Sequence, residues 1–255
     1  VAALTRPASV PRAALVSTFL RSFTIQGSWN YHTMVGGGLA FCLLPVLRAV
    51  ARTRDEPLQA SLQRHAALFN AHPYLTSLAL GAITRLEADG EDPEAVQRFK
   101  AAIRGPLGGL GDTLVWAGWL PVTSLIALIA AWWGASPVAT VLLFLVLYNL
   151  GHLTLRTWAF TAGLEAGKDL GPLLRSANLG PLADRVARLG TLLVGFFVGL
   201  VLTKEEALGD PAWLWIALAI AAFGAGMIGG QRIWRPTALV VVGTVGAVIV
   251  LGSFK

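Results

Sequence analysis

Five apolar stretches, residues 114–133, 138–160, 186–203, 212–230 and 237–253, dominate the second half of the chain. Each is close to the ~20 residues that carry a helix across the hydrocarbon layer. Backbone in lipid must satisfy its own polar groups, so these stretches commit this half to transmembrane helices. Composition agrees, with 55% hydrophobic and 13% charged residues and a mean hydropathy of +0.64. The expected fold is an all-α integral membrane protein. N-terminal amphipathic and partly inserted helices precede roughly five transmembrane helices.

A formal charge of +6 would point a soluble protein toward nucleic acid. Here the basic residues flank apolar spans, where they orient the chain, and no nucleic-acid partner is expected. Residues 134–137 carry no charge, 168–188 are basic, 204–210 are mainly acidic, and 231–236 hold Arg232 and Arg235. The positive-inside rule then puts the N-terminus and the Arg232 loop in the cytoplasm and the Lys255 end outside. Residues 1–11 lack the pattern of a cleaved signal peptide. A lone Cys42 leaves no intramolecular disulfide and no multi-cysteine metal site, and no metal or other cofactor is expected.

The N-terminal half divides at residues 27 and 112. Residues 1–27 read as an amphipathic surface helix, with Leu15, Val16, Phe19, Leu20 and Phe23 opposite Ser17, Arg21 and Ser22. Residues 28–112 bear polar motifs and hold two apolar segments, 36–50 and 74–86, too short for a comfortable span and read as partly inserted or re-entrant helices. Residues 113–255 form the transmembrane region. Residues 87–94 read as an acidic, solvated turn lacking the ligand spacing of a calcium loop. Asn149, His152 and Arg156 recur at helical spacing within the second span and are expected to face protein or water.

Three motifs interrupt the apolar pattern. In Ser28-Trp29-Asn30-Tyr31, an amide sits between rings that can anchor at an interface or form a stacking wall. In Phe69-Asn70-Ala71-His72-Pro73, Pro73 disfavours helical geometry at His72, and the polar pair is either a helix start or a solute contact. In Gly105-Pro106-Leu107-Gly108-Gly109-Leu110-Gly111-Asp112, glycines permit tight backbone and Asp112 is positioned to cap the span that follows. The Gly-Lys-Ser/Thr ending of a phosphate loop is absent.

The succession Trp29-Asn30-Tyr31, Met34, Phe69-Asn70-x-His72-Pro73, Glu87, Gly105-Pro106-Leu107-x-Gly109-x-Gly111-Asp112 and Trp116, followed by apolar spans, resembles the IID membrane component of the mannose/fructose/sorbose-type sugar phosphotransferase system. The resemblance runs from about Phe23 to the C-terminus and is strongest between Asn30 and Trp116. It implies a bacterial inner-membrane, multi-pass subunit that joins a IIC component in a hetero-oligomer. Soluble IIA and IIB components would deliver phosphate, and the substrate would be a hexose. The chain departs from the family pattern at His32, where an acidic residue is common, and at Ala71, where Thr is common. No catalytic residue or phosphorylation site is expected on this subunit, and none of His32, His65, His72 and His152 shows a clear carboxylate-paired catalytic arrangement.

A sugar presents hydroxyls at its edge and apolar C–H faces. Asn70 and Asp112, with Asn30 or His72, are expected to bind hydroxyls while Trp116 supplies an apolar face. Gly105, Gly108, Gly109 and Gly111 are expected to form a hinge or a close-packing surface. A facilitator that moves a small solute without phosphorylation, and a noncatalytic scaffold subunit, are the competing readings.

Overall fold

The structure, a computed structural model, describes residues 10–52 and 56–202. The expected spans at 212–230 and 237–253 lie outside the described residues. Contacts divide the chain into two compact units, Val1–Arg188 and Leu189–Lys255. Among the described residues the secondary structure is helical: α1 (Arg12–Arg21), α2 (Gly36–Val50), α3 (Leu58–Ala66), α4 (Thr76–Asp89), α5 (Pro93–Gly111), α6 (Leu120–Trp132), α7 (Pro137–Ala166), α8 (Leu170–Ser176) and α9 (Leu179–Leu202). Extended pairing among these residues is confined to two isolated bridges, Asn30 with Met34 and Met34 with Phe69.

Local chemistry accounts for several helix ends. α4 stops at Gly90, whose left-handed φ of 80° turns the backbone without the steric cost of a Cβ. Two residues on, the Asp92 carboxylate accepts the Ala95 N–H at 3.0 Å and Pro93 occupies the first turn, so α5 starts there. Ser136 and Pro137 repeat the device at α7.

The Gly- and Pro-rich stretch before the first expected span does not break the chain. α5 passes through Pro106 and Gly105–Gly111, widens into a π-helical segment over Asp112–Trp119, and continues into α6. The result is a 40-residue apolar helix, Pro93–Trp132, long enough to cross a membrane. Asp112 therefore sits inside a helix rather than capping one, and makes no side-chain cap bond. Burial of Val96, Ile103, Leu107 and Gly111 along one face outweighs the weak local helix propensity. A second long helical stretch, Pro137–Ser176, also meets the length and hydropathy of a span.

The centre of the first unit is the α4–α7 pair. Residues Leu75 to Thr84 are all buried, so protein surrounds this apolar segment. A Cβ on Gly81 would strike the backbone of Phe160, Gly163 and Leu164, and one on Gly163 would strike the backbone of Leu78 and Ala82. Two facing glycines thus bring the helices into backbone contact, as small residues do between membrane helices. The first half of α7 differs: Val138, Val141, Leu142, Leu145, Val146 and Leu150 are exposed.

Helix α1 does not bury the face its apolar residues define. Ala14, Leu15, Thr18 and Ser22 point inward, whereas Val16, Leu20 and Phe23 stand exposed. The Ser22 hydroxyl is drawn in by a local and a long-range hydrogen bond. Ser22 Oγ donates to the Phe19 carbonyl at 2.6 Å and accepts from Arg156 Nη1 at 2.9 Å.

Candidate functional site

The three polar motifs, spread over some ninety residues, meet in space. Asn30 organises the first. Its Oδ1 accepts the N–H groups of His32 and Thr33, both at 2.9 Å, and its Nδ2 donates to Thr33 Oγ1 at 2.8 Å and the Ser28 carbonyl at 3.2 Å. Two acceptances and two donations use the hydrogen-bonding capacity of an amide, so Asn30 is committed to its own turn. Met34 closes that turn with a left-handed φ of 54°.

The turn is sewn to the second motif through the backbone. Phe69 N–H donates to the Thr33 carbonyl at 3.2 Å, and Val35 N–H donates to the Phe69 carbonyl at 3.1 Å. Phe69 is fully buried and anchors the strand-like crossing. Asn70, the next residue, is exposed, while Ala71, His72 and Pro73 are buried. Trp29 and Tyr31 flank the turn with rings 4.8 Å apart and both exposed.

The third motif arrives along α5. Its four glycines have different surroundings: Gly105 and Gly109 face open space, a Cβ on Gly108 would make ordinary contact with Asn70 and Ala71, and one on Gly111 would collide with the His72 side chain. Close packing therefore resides at Gly111. Beyond it the π segment presents Asp112 and Trp116, four positions apart and both exposed. π segments interrupt helices at functional sites often enough to draw attention to these residues. The Trp116 and His72 rings meet edge to face at 4.9 Å.

His72 is the buried pivot, 2% exposed. Its Nδ1 accepts the Tyr74 N–H at 3.2 Å, which puts the ring proton on Nε2. That Nε2 is buried with no hydrogen-bond partner among the described residues. Burial, reinforced by the charges of Arg156 and His152, lowers the imidazole to about 4. His72 is thus neutral near pH 7 and holds an unspent donor behind Trp116.

A column of rings leads from His72 into α7. Tyr74 stands 5.0 Å from His72, stacks on His152 at 3.9 Å, and shares a hydroxyl hydrogen bond of 2.8 Å with Tyr148. Arg156 ends the column: Nε donates to His152 Nε2 at 2.9 Å, Nη1 donates to the Ser22 carbonyl at 2.6 Å, and the guanidinium lies over the rings of Phe23 and Tyr74. His152 and Arg156 thus face protein, whereas Asn149 is exposed and donates to Leu145 of its own helix. Helical spacing in the sequence revealed the His152–Arg156 pair; nothing local revealed Ser22 or Tyr74 as partners.

An ion network braces the far ends of α3 and α4. Glu87, 1% exposed, accepts from His65 Nε2 at 2.8 Å and from Arg64 Nη2 at 3.0 Å, and Arg64 also pairs with Glu56. Lys100, likewise buried, donates to the Arg64 carbonyl. Burial by itself would raise the Glu87 carboxyl, but the hydrogen bonds and charges of His65 and Arg64 hold it at about 2, while burial lowers His65. A neutral His65 donating to an ionised Glu87 fits both directions. One expectation is corrected here: Glu87 belongs to a buried ion cluster rather than a solvated turn, and that cluster pairs it with His65. The partners lie 22 residues apart in sequence, beyond any local pattern.

The family model of the PTS system mannose/fructose/sorbose family IID component matches residues 9–205. The mannose-specific EIID component of Escherichia coli strain K12 is 31% identical over 185 residues, 71% of this chain and 65% of that protein. The sorbose-specific EIID component of Klebsiella pneumoniae is 28% identical over 207 residues, 79% of this chain and 73% of that one. This chain therefore spans just under two thirds of the Escherichia coli protein. A chain in the cryo-EM structure of the mannose transporter ManYZ with microcin E492 superposes with a TM-score of 0.58 and 25% identity, covering 93% of this chain and 96% of that one. A second solved structure, described as a membrane protein, gives a TM-score of 0.68 at 25% identity, covering 93% and 97%. With the motifs gathered at one site and the match running through most of the described residues, this chain belongs to the mannose/fructose/sorbose family of PTS IID components.

Proposed function

We propose that this protein is the IID subunit of a sugar permease, sharing with a IIC subunit the path and pocket for a hexose whose uptake is coupled to phosphorylation by IIB, itself charged by IIA. The observation that carries this reading is the exposed pair Asp112 and Trp116, on the π segment of a helix of spanning length and beside the neutral imidazole of His72. A carboxylate on such a helix is costly in lipid and calls for water, solute or a partner. Asp112 and Asn70 bind sugar hydroxyls, and Trp116 covers an apolar sugar face. His72 fixes the Trp116 ring, and Asn30 builds the turn that supports Phe69 and Asn70. The protein sits in the bacterial inner membrane with its N-terminus cytoplasmic and its C-terminus external, a multi-pass subunit with a motif-bearing region at residues 28–112.

The test is phosphoenolpyruvate-dependent sugar phosphorylation by the reconstituted IIA, IIB and IIC components with this subunit. Asp112→Asn and Asn70→Ala are expected to lower sugar affinity at least tenfold while the IIC complex stays assembled. Uptake by vesicles lacking phosphoenolpyruvate and IIB would instead support a facilitator. Unchanged sugar binding in both variants would leave a scaffold role.

A further inference from the structure

The charge of the chain is unevenly placed. Its first 54 residues hold six arginines and no Asp, Glu or Lys; of the 20 basic residues in all, 14 remain to balance the 14 acids of the rest. The whole net charge of +6 is therefore carried by the N-terminal segment.

Within that segment, α1 and α2 enclose a shallow apolar groove lined by Arg12, Val16, Leu20, Arg21, Thr24 and Phe41. Val16, Leu20 and Phe41 are 49%, 60% and 48% exposed. Arg12 and Arg21 stand near the two ends, nine residues and so about 13 Å apart along the helix. Arg21 is held in place: Nη1 donates to the Phe41 carbonyl at 3.1 Å, and the guanidinium lies 4.5 Å from the Phe41 ring centroid. Among the described residues neither arginine pairs with a carboxylate.

We propose that this groove is a binding site for an anionic phospholipid. One acyl chain lies along Val16, Leu20 and Phe41, the phosphate is bound by Arg21, and the charge of Arg12 at the other end adds to the positive potential that selects an anionic headgroup. An apolar stripe rimmed by unneutralised guanidinium groups matches such a lipid in both its apolar and its charged part. Guanidinium binds phosphate through a planar fork, and the Phe41 contacts pre-order that fork at Arg21. A second copy of the same segment would set arginine against arginine, since its first 54 residues hold no acid.

Native mass spectrometry of the purified full chain, titrated with phosphatidylglycerol or phosphatidylcholine, tests the proposal. The wild type is expected to retain phosphatidylglycerol in clear preference. Arg12→Gln/Arg21→Gln is expected to weaken that lipid by about fivefold per charge removed, and Arg98→Gln, on exposed α5 surface, to leave it unchanged. If the double variant does not fold, Arg12→Gln alone carries the test. A nitroxide on Leu20→Cys in bilayers adds an independent reading. High oxygen and low nickel-chelate accessibility are expected. Equal binding of the two lipids, an unaltered preference in the variants, or low accessibility to both relaxing agents, as under a protein partner, overturns the proposal.

Discussion

Gly81 of α4 and Gly163 of α7 face each other so closely that a Cβ on either would enter the backbone of the other helix. This contact locks together the buried α4 and the inner half of α7, and the aromatic column from Tyr74 to His152 runs along the same interface. Gly163→Ala is expected to cost about 1–3 kcal/mol by overpacking, read as a lower melting temperature of the purified chain. Gly105→Ala, which meets open space, serves as the tolerated comparison.

Gly111 and Gly109 separate packing from hinge motion. Gly111→Ala pushes the His72 ring and, through it, Trp116. It is expected to weaken sugar binding by an order of magnitude or so, comparable to ~1–3 kcal/mol of forced repacking. Gly109→Ala adds helix propensity on an open face and is expected to preserve both binding and transport rate. A slowed transport rate with intact binding in Gly109→Ala would reveal a hinge there.

Asn30 and Asn70 are expected to fail differently. Asn30→Ala removes four hydrogen bonds from the 28–34 turn and is expected to lower thermal stability and sugar affinity together. Asn70→Ala, at an exposed side chain, is expected to lower affinity with the melting temperature unchanged. Isothermal titration alongside a melting curve distinguishes the two.

Glu87→Gln leaves Arg64 with Glu56 as its one carboxylate partner and takes the Glu87 charge away from the buried Lys100. Breaking a buried pair in this way is expected to cost about 3–5 kcal/mol, measured by thermal or denaturant unfolding.

Acid should weaken the native protein in two stages. The His72 imidazole titrates at about 4 when folded against an ordinary 6.5, so its contribution is complete above pH 6.5 and lost as pH falls toward 4. The lowered His65 acts in the same direction. Glu87, held at about 2 against 4.5, contributes fully above pH 4.5 and loses that contribution as pH falls toward 2. Melting temperatures between pH 7 and pH 4 should decline less in His72→Phe than in the wild type.

The candidate residues were legible because they interrupt an apolar pattern. Asn70, His72 and Asp112 stand out where amides, imidazoles and carboxylates are costly, and the structure draws their segments and Trp116 together. That α5 runs on through Gly105–Gly111 was not legible, because local propensity cannot register the tertiary burial of Ile103, Leu107 and Gly111. Which side of α1 packs inward was not legible either: lipid and protein core are both apolar, so periodicity shows an apolar stripe but not which environment receives it.

By itself the sequence determined a helical membrane chain, its family and the order of its polar motifs, because hydrophobic length and motif order are local properties. Only the tertiary structure decided that Asn30 spends its amide on a turn, that Gly111 makes room for His72, and that Arg156 reaches Ser22 across 134 residues. Those outcomes depend on which backbones approach within contact distance. Distant close approaches leave no periodic trace along a chain.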